Sequence, residues 1–366
     1  MCGMKICFLT HNVRQDNGGG VLSLNLIRRI QEVLHAEVTV LTTVSCGASF
    51  ERAILRPNRF GLLAECMKIR RALKACDVIH AFDVFPYGAL AVFLSLGLRK
   101  KIIITAVGSN SILPLYHGLY APFIKFVYRR ASMRTAISLF TKQEILKKMP
   151  GLEILVINPG VDADFFARRD GSHYDTKRYK PYIVGVGQLR WRKGYHFSIR
   201  AFAKIRERFP DLHYVIVGKH LKDDYYERLQ KLIDELKLRD SVFILEDVDT
   251  KEQLVDVYKG AELFCLFSQN MNHDVEGFGL VFLEAAAAGL PVVGSKNCGV
   301  DDAVREGENG LLVATRNPDD FADAIMRILG DPALKQHMAV RSLAFAAECA
   351  WNARIRGYID IYKKLL

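Results

Sequence analysis

Short runs of aliphatic and β-branched residues alternate along the whole chain with longer stretches whose apolar residues recur at helical spacing. Few architectures permit that alternation. A strand that is apolar at nearly every position must be covered on both faces, and intervening helices supply the cover, which gives βαβ units and parallel sheets. KICFLT, EVTVLTT, DVIHAF, KIIITAV, RTAIS and EILVIN make one set of strands; YIVGVG, LHYVIVG, SVFILE, AELFCLF, LPVVGS and GLLVA make a second. The polar stretch ARRDGSHYDTKRYKP between them has no period and reads as a linker. The chain is also longer than one hydrophobic core normally serves. Two doubly wound α/β domains are therefore expected, residues 1–170 and 171–350, facing one another with the active site between them. Open sheets of this kind bind ligands at the carboxyl ends of their strands.

Composition narrows the class further. Half the residues are hydrophobic and a quarter are charged, which is ordinary globular usage. No apolar run approaches the roughly 20 residues that span a bilayer, and MCGMKICFLTH reads as a first core strand in place of a leader. The eight cysteines are scattered without a C-x-x-C pair, so reduced structural thiols in a cytosol are expected and a zinc site is not. The net charge of +11 is unevenly placed: residues 1–170 carry 23 Lys and Arg against 12 Asp and Glu, whereas the remainder balances 28 against 28. Segments 61–74 and 123–134 mix basic with apolar residues. They suit either a solvated basic surface or a face for anionic membrane or a polyanionic acceptor.

The segment HDVEGFGLVFLEAAAAGLPVVGS carries the densest chemistry. Gly277 and Gly279 disfavour helix before Leu280, the run after it favours helix, and Gly289 with Pro291 ends it. A loop feeding a buried helix results, and the start of such a helix offers unpaired N–H groups and a positive dipole end to a diphosphate. Glu284 lies in an apolar helix, where a carboxylate is costly unless hydroxyls such as those of a ribose bond it. Glu276, in the loop, is placed to reach a sugar. In GQLRWRKG, after a strand, Arg190, Arg192 and Lys193 are available to neutralise phosphate, with Arg192 read as surface charge. Gly18, Gly19 and Gly20 follow the first strand, where a loop of exposed amides meets phosphate or the reacting sugar.

These residues resemble the retaining glycosyltransferase family 4, whose signature is Glu-x(7)-Glu within EGFGLxxLEAxAxGxPVV. The resemblance continues through GENGLLV, the Gly19–Gly20 pair, INPGVDADFF, VGQLRWRKGYHF and a terminal aromatic helix from Trp351 to Tyr362, and so spans essentially the whole chain. It implies a GT-B fold, with residues 351–366 returning to the N-terminal, acceptor-binding domain and the C-terminal domain holding the donor. It also implies Glu276 on the donor sugar, Glu284 on the ribose and Lys193 on phosphate, with Gly277, Phe278, Gly279 and Leu280 lining the donor. Two positions depart from the family pattern. Gln188 stands where an arginine usually follows the glycine, so Arg190 is expected to take its duty; Val107 stands where the family often has a histidine, so no catalytic role transfers there.

The expected reaction moves a hexosyl unit from a nucleotide diphosphate sugar to an acceptor hydroxyl with retention, by front-face attack assisted by the leaving phosphate, in cell-envelope glycan or glycolipid synthesis. No essential cofactor is expected and no metal, since the D-x-D triplets at 162–164 and 247–249 fall in turns. His80, Asp83 and His117, near strand ends of the first domain, are candidate contacts to acceptor hydroxyls. Nucleic acid is not expected as a partner. The expected location is cytoplasmic, with peripheral attachment to anionic membrane through the basic domain. Two other readings stay open at this point, a GT-B-fold sugar-nucleotide hydrolase or epimerase and a non-catalytic basic module binding membrane or polyanions.

Overall fold

Strands form where the sequence is apolar at every position, and their interiors are buried on both faces. The computed structural model describes residues 4–15, 17–55, 59–168, 173–314 and 317–365. Its strands are β1 Lys5–Thr10, β2 Glu37–Thr42, β3 Glu51–Arg52, β4 Val78–Phe82, β5 Lys101–Ala106, β6 Met133–Ala136 and β7 Leu155–Val156, followed by β8 Tyr182–Val186, β9 His213–Val217, β10 Val242–Leu245, β11 Leu263–Leu266, β12 Val292–Ser295 and β13 Gly310–Val313. They make a seven-stranded sheet ordered β3-β2-β1-β4-β5-β6-β7 and a six-stranded sheet ordered β10-β9-β8-β11-β12-β13. Every ladder pairing is parallel, as in β1 on β2 (Lys5 opposite Glu37) and β8 on β11 (Ile183 opposite Leu263). The two-residue edge strand β3 is the one strand without a sequence signal, because Glu51 and Arg52 have no apolar run to mark them.

The chain divides into two compact units, Met1–Pro159 with Arg354–Leu366, and Gly160–Ala353. The boundary expected from the sequence, between 170 and 171, falls outside the described residues, and the described part of that polar stretch belongs to the second unit. INPGVDADFF explains the difference. Val161 N–H donates to the Cys349 carbonyl (3.0 Å) and Trp351 N–H to the Val161 carbonyl (3.3 Å). A Cβ on Gly160 would stand 2.6 Å from the Trp351 Cα, so only glycine allows that approach.

The first unit takes its last helix from the far end of the sequence. Within Trp351–Leu365, Tyr362 is fully buried and bonds His80 Nδ1 at 2.7 Å, while His80 Nε2 meets Thr105 Oγ1 at 2.7 Å. In both sheets the strand order reverses at a switch point, between β1 and β4 in the first unit and between β8 and β11 in the second. The loops leaving β8 and β11 therefore emerge side by side at one carboxyl edge, where such folds place their ligands.

Candidate active site

The β8 loop runs through Gly187, a short 3₁₀ turn at Trp191–Lys193 and Gly194 into the helix Tyr195–Arg208. Gly194 has φ +67°, and a Cβ there would lie 2.0 Å from the Phe267 carbonyl oxygen, so the β8 and β11 loops touch backbone to backbone. Gln269 N–H donates to the Arg192 carbonyl at 2.7 Å across the same seam. This contact carries Lys193 and Arg192 onto the loop that bears Glu276.

Glu276 is 7 % exposed. Its Oε2 accepts from Arg192 Nη1 (2.6 Å), Lys193 Nζ (2.7 Å) and Ser268 Oγ (3.1 Å). Burial alone would push this carboxyl up, but the charges of Arg192 and Lys193 outweigh it and hold the group at about 2. Burial likewise lowers the Lys193 ammonium in spite of the carboxylate beside it. Two buried cations thus share one buried carboxylate, and Asp274, 3.4 Å from Arg192 Nε, is half exposed. With Asp274 in contact with solvent, which screens it, the two cations outnumber the one buried carboxylate, as an anionic ligand requires.

The loop then turns at Gly279 (φ +85°) into the helix Leu280–Ala287, whose first turn has no side-chain cap. Glu276 is fixed from behind by its own backbone, its carbonyl accepting the Gly299 N–H at 2.8 Å. Phe278 is 3 % exposed, so its ring packs in the core and only its backbone is available to a ligand. Leu280 and Gly277 are half-buried. About one turn into the helix, the Tyr258 hydroxyl donates to Glu284 Oε2 at 3.2 Å. Burial lifts the Glu284 carboxyl above its ordinary range against the pull of Lys251 and the phenol. A carboxyl group in such a setting is costly unless further donors bond it.

Other expected residues are redistributed. Arg190 is exposed and makes no described contact with Glu276, whereas Arg192, read from sequence as surface charge, holds it. Arg190 is extended ahead of the 3₁₀ turn and stays outside, while the turn itself brings both 192 and 193 to Glu276. Gly18, Gly19 and Gly20 form no loop: they open the helix Gly18–Leu34, with the Asn17 side chain accepting the Gly20 N–H at 2.8 Å. Gly20 is required because a Cβ would meet the Arg14 carbonyl oxygen at 2.2 Å.

His80 corrects the acceptor-side expectation. It is wholly buried with both ring nitrogens engaged, and burial holds its imidazole neutral, at about 3. It presents no atom to an acceptor. Asp83 is different: at the end of β4 with φ +69°, its Oδ1 accepts from Val107 N–H (2.9 Å) and Ser111 Oγ (2.6 Å), and burial raises its carboxyl. Near it, Tyr87 OH lies 3.2 Å from His11 Nδ1 and 3.1 Å from Thr43 Oγ1, a polar group at the carboxyl edge that the sequence reading missed because its members come from three separated segments. His117 is exposed at the far end of the helix Ser109–Tyr116, roughly 9 Å along its axis from Ser111, and does not join Asp83. The side chains of the D-x-D triplet at 247–249 are engaged by protein groups, Asp247 accepting from Tyr174 OH and Asp249 pairing with Lys219. Among the described residues, no three His, Cys, Asp or Glu are grouped to hold a metal ion.

Comparison with known proteins gives a consistent result. Residues 172–342 match the family described as Glycosyl transferases group 1, and residues 16–165 match Glycosyltransferase Family 4. The chain is 32 % identical over 243 residues to a D-inositol 3-phosphate glycosyltransferase of Corynebacterium jeikeium, covering 62 % of this chain and 56 % of that protein. It is 30 % identical over 297 residues to a GDP-mannose-dependent alpha-(1-6)-phosphatidylinositol monomannoside mannosyltransferase of Mycobacterium tuberculosis, covering 76 % and 74 %. The solved structure of Anabaena HepE in complex with UDP-glucose superimposes with a TM-score of 0.81 over 99 % of this chain and 100 % of that one at 19 % identity, which establishes the GT-B fold. Two family matches that together run from residue 16 to 342, and a relative matched over about three quarters of both chains, place this chain in glycosyltransferase family 4.

Proposed function

We propose that the chain is a retaining glycosyltransferase that moves a hexosyl unit from a nucleotide diphosphate sugar to an acceptor hydroxyl, the second unit binding the donor and the first the acceptor. The observation that carries this reading is Glu276, a buried carboxylate whose Oε2 is saturated by Arg192, Lys193 and Ser268, two of them cationic. Oε1 takes a hydroxyl of the donor sugar, and the two cations, with the uncapped amides after Gly279, take the diphosphate. Glu284 receives the ribose.

In the proposed step the bond from the anomeric carbon to the β-phosphate oxygen breaks as the acceptor oxygen bonds to the same face, and the acceptor proton passes to the departing phosphate. Glu276 orients the sugar, and the cations stabilise the charge that develops on the diphosphate. The acceptor is a lipid-linked or cell-envelope glycan, a reading supported by the phosphatidylinositol mannoside for which the mycobacterial relative is named and by the basic first unit. Among the described residues no helix is long and apolar enough to cross a membrane, and we place the protein peripherally at an anionic surface.

The test is a panel of nucleotide sugars with release of free nucleotide as the readout, wild type against Glu276→Gln. We expect one donor to be consumed and the variant to lose about a hundredfold in transfer, with nucleotide affinity changed by less than about threefold. Equal turnover by the variant removes Glu276 from the mechanism, and an inert panel removes the donor class.

A further inference from the structure

From residue 84 to residue 143 the chain contains eight Lys and Arg and no Asp or Glu. The same stretch leaves large apolar side chains in water. Phe93 is 36 % exposed, Leu119 89 %, Tyr120 48 %, Phe123 37 % and Phe126 46 %. The helix Ala121–Arg130 turns Ile124, Val127 and Tyr128 inward, and Tyr128 OH anchors it by donating to the Ser111 carbonyl at 2.9 Å. Its outer side presents Phe123, Phe126 and Arg130 at i, i+3 and i+7. Phe93, from the helix Ala89–Leu94, stacks flat on Phe123 with ring centroids 4.8 Å apart and stands 6.0 Å from Phe126. The rings are thus gathered into one apolar patch, with Arg129 and Arg130 exposed at its margin and Lys125 half-buried beside it.

We propose that this patch is a membrane-docking face, its aromatic rings and Leu119 seated among the headgroups of an anionic bilayer and its basic rim paired with lipid phosphates. The proposal extends the peripheral placement offered above and names the residues that perform it. An apolar cluster of this kind in water is a binding surface or a liability, and charge selects the occupant. A second copy of the chain would bring the same acid-free basic rim against itself, which repels. A soluble polyanion would satisfy the cations but leave the rings in water. An anionic lipid surface satisfies both, with apolar insertion and electrostatic attraction adding together.

Flotation of the full chain with phosphatidylcholine vesicles, with and without phosphatidylglycerol, tests the assignment. Wild type is expected to float with the anionic vesicles. Phe123→Ser with Phe126→Ser is expected to weaken that binding about tenfold at any salt concentration, while Lys125→Ser, Arg129→Ser and Arg130→Ser together remove only the part that salt screens. Leu119→Ser, at an almost fully exposed position, reports insertion without touching the packing of the helix. Wild-type binding by the phenylalanine and Leu119 variants overturns the proposal. So does a wild type that ignores anionic vesicles but forms a dimer which the phenylalanine variant dissociates. Binding of UDP and GDP without vesicles is measured alongside by calorimetry: its absence would count against the donor chemistry and leave the docking face standing.

Discussion

Among single residues, the decisive feature is that one carboxylate oxygen collects three donors. Arg192 and Lys193 are neighbours in sequence, yet both reach Glu276 because the 3₁₀ turn bends them to the same side. Arg192→Ala is therefore expected to weaken nucleotide diphosphate binding about tenfold or more, as loss of a charge-assisted contact does, while Arg190→Ala stays within about twofold; calorimetric titration with UDP and GDP separates them. The reverse order would mean that the exposed arginine swings in when ligand binds. Acid sensitivity follows from the same cluster. The Glu276 carboxyl titrates at about 2 in the folded chain against 4.5 when free, so its stabilising share is intact above about 4.5 and is lost as pH falls toward 2. Between pH 7 and pH 3 the stability gap between wild type and Glu276→Gln is expected to shrink by about 2 kcal/mol, read from urea melts. A constant gap across that range would show that the ion cluster is not coupled to folding.

Between elements, the site depends on a backbone seam joining two loops that leave adjacent strands. Gly194→Ala puts a methyl into the Phe267 carbonyl at a left-handed position, so it is expected to cost more than about 2 kcal/mol and to disorder Lys193 together with the seam. Thermal unfolding with and without UDP checks this: the variant should melt lower and gain little from the nucleotide. Such a residue is silent in the sequence, where a glycine before a helix reads as ordinary punctuation. The loop after β11 was more legible, since Gly279 and the alanine-rich run fix where the helix Leu280–Ala287 starts and stops by local propensity alone. The glycines after β1 misled because a glycine run reads as a loop, whereas the Asn17 cap makes Gly18–Gly20 the first turn of a helix.

Across the molecule, the first unit is completed by residues 354–366, far from it in sequence. Tyr362 gives His80 one of its two partners in a fully buried setting. Tyr362→Phe leaves a buried imidazole nitrogen unpaired and is expected to cost about 1 to 3 kcal/mol, and truncation after Ala353 more, because the covering helix goes with it. Two-domain melting should show the first unit's transition falling while that of the second stays in place. A single transition that moves as a whole would mean that the units unfold together.

Local propensity and periodicity act over a few neighbouring residues, and whatever they control could be read from the chain unfolded on the page: parallel α/β architecture in two sheets, the helix after Gly279, and the segments in which Glu276, Glu284 and Lys193 lie. Which side chains those segments aim at one another emerged only on folding. Arg192 displaced Arg190 because the turn geometry, and not the charge, selects the inward residue. His80 became core because a helix from the other end of the chain covers it. The division of the chain moved to Pro159 because Gly160 packs against Trp351. Each of these turns on backbone geometry or on a contact between residues distant in sequence, and a one-dimensional pattern carries no record of either until the chain has closed on itself.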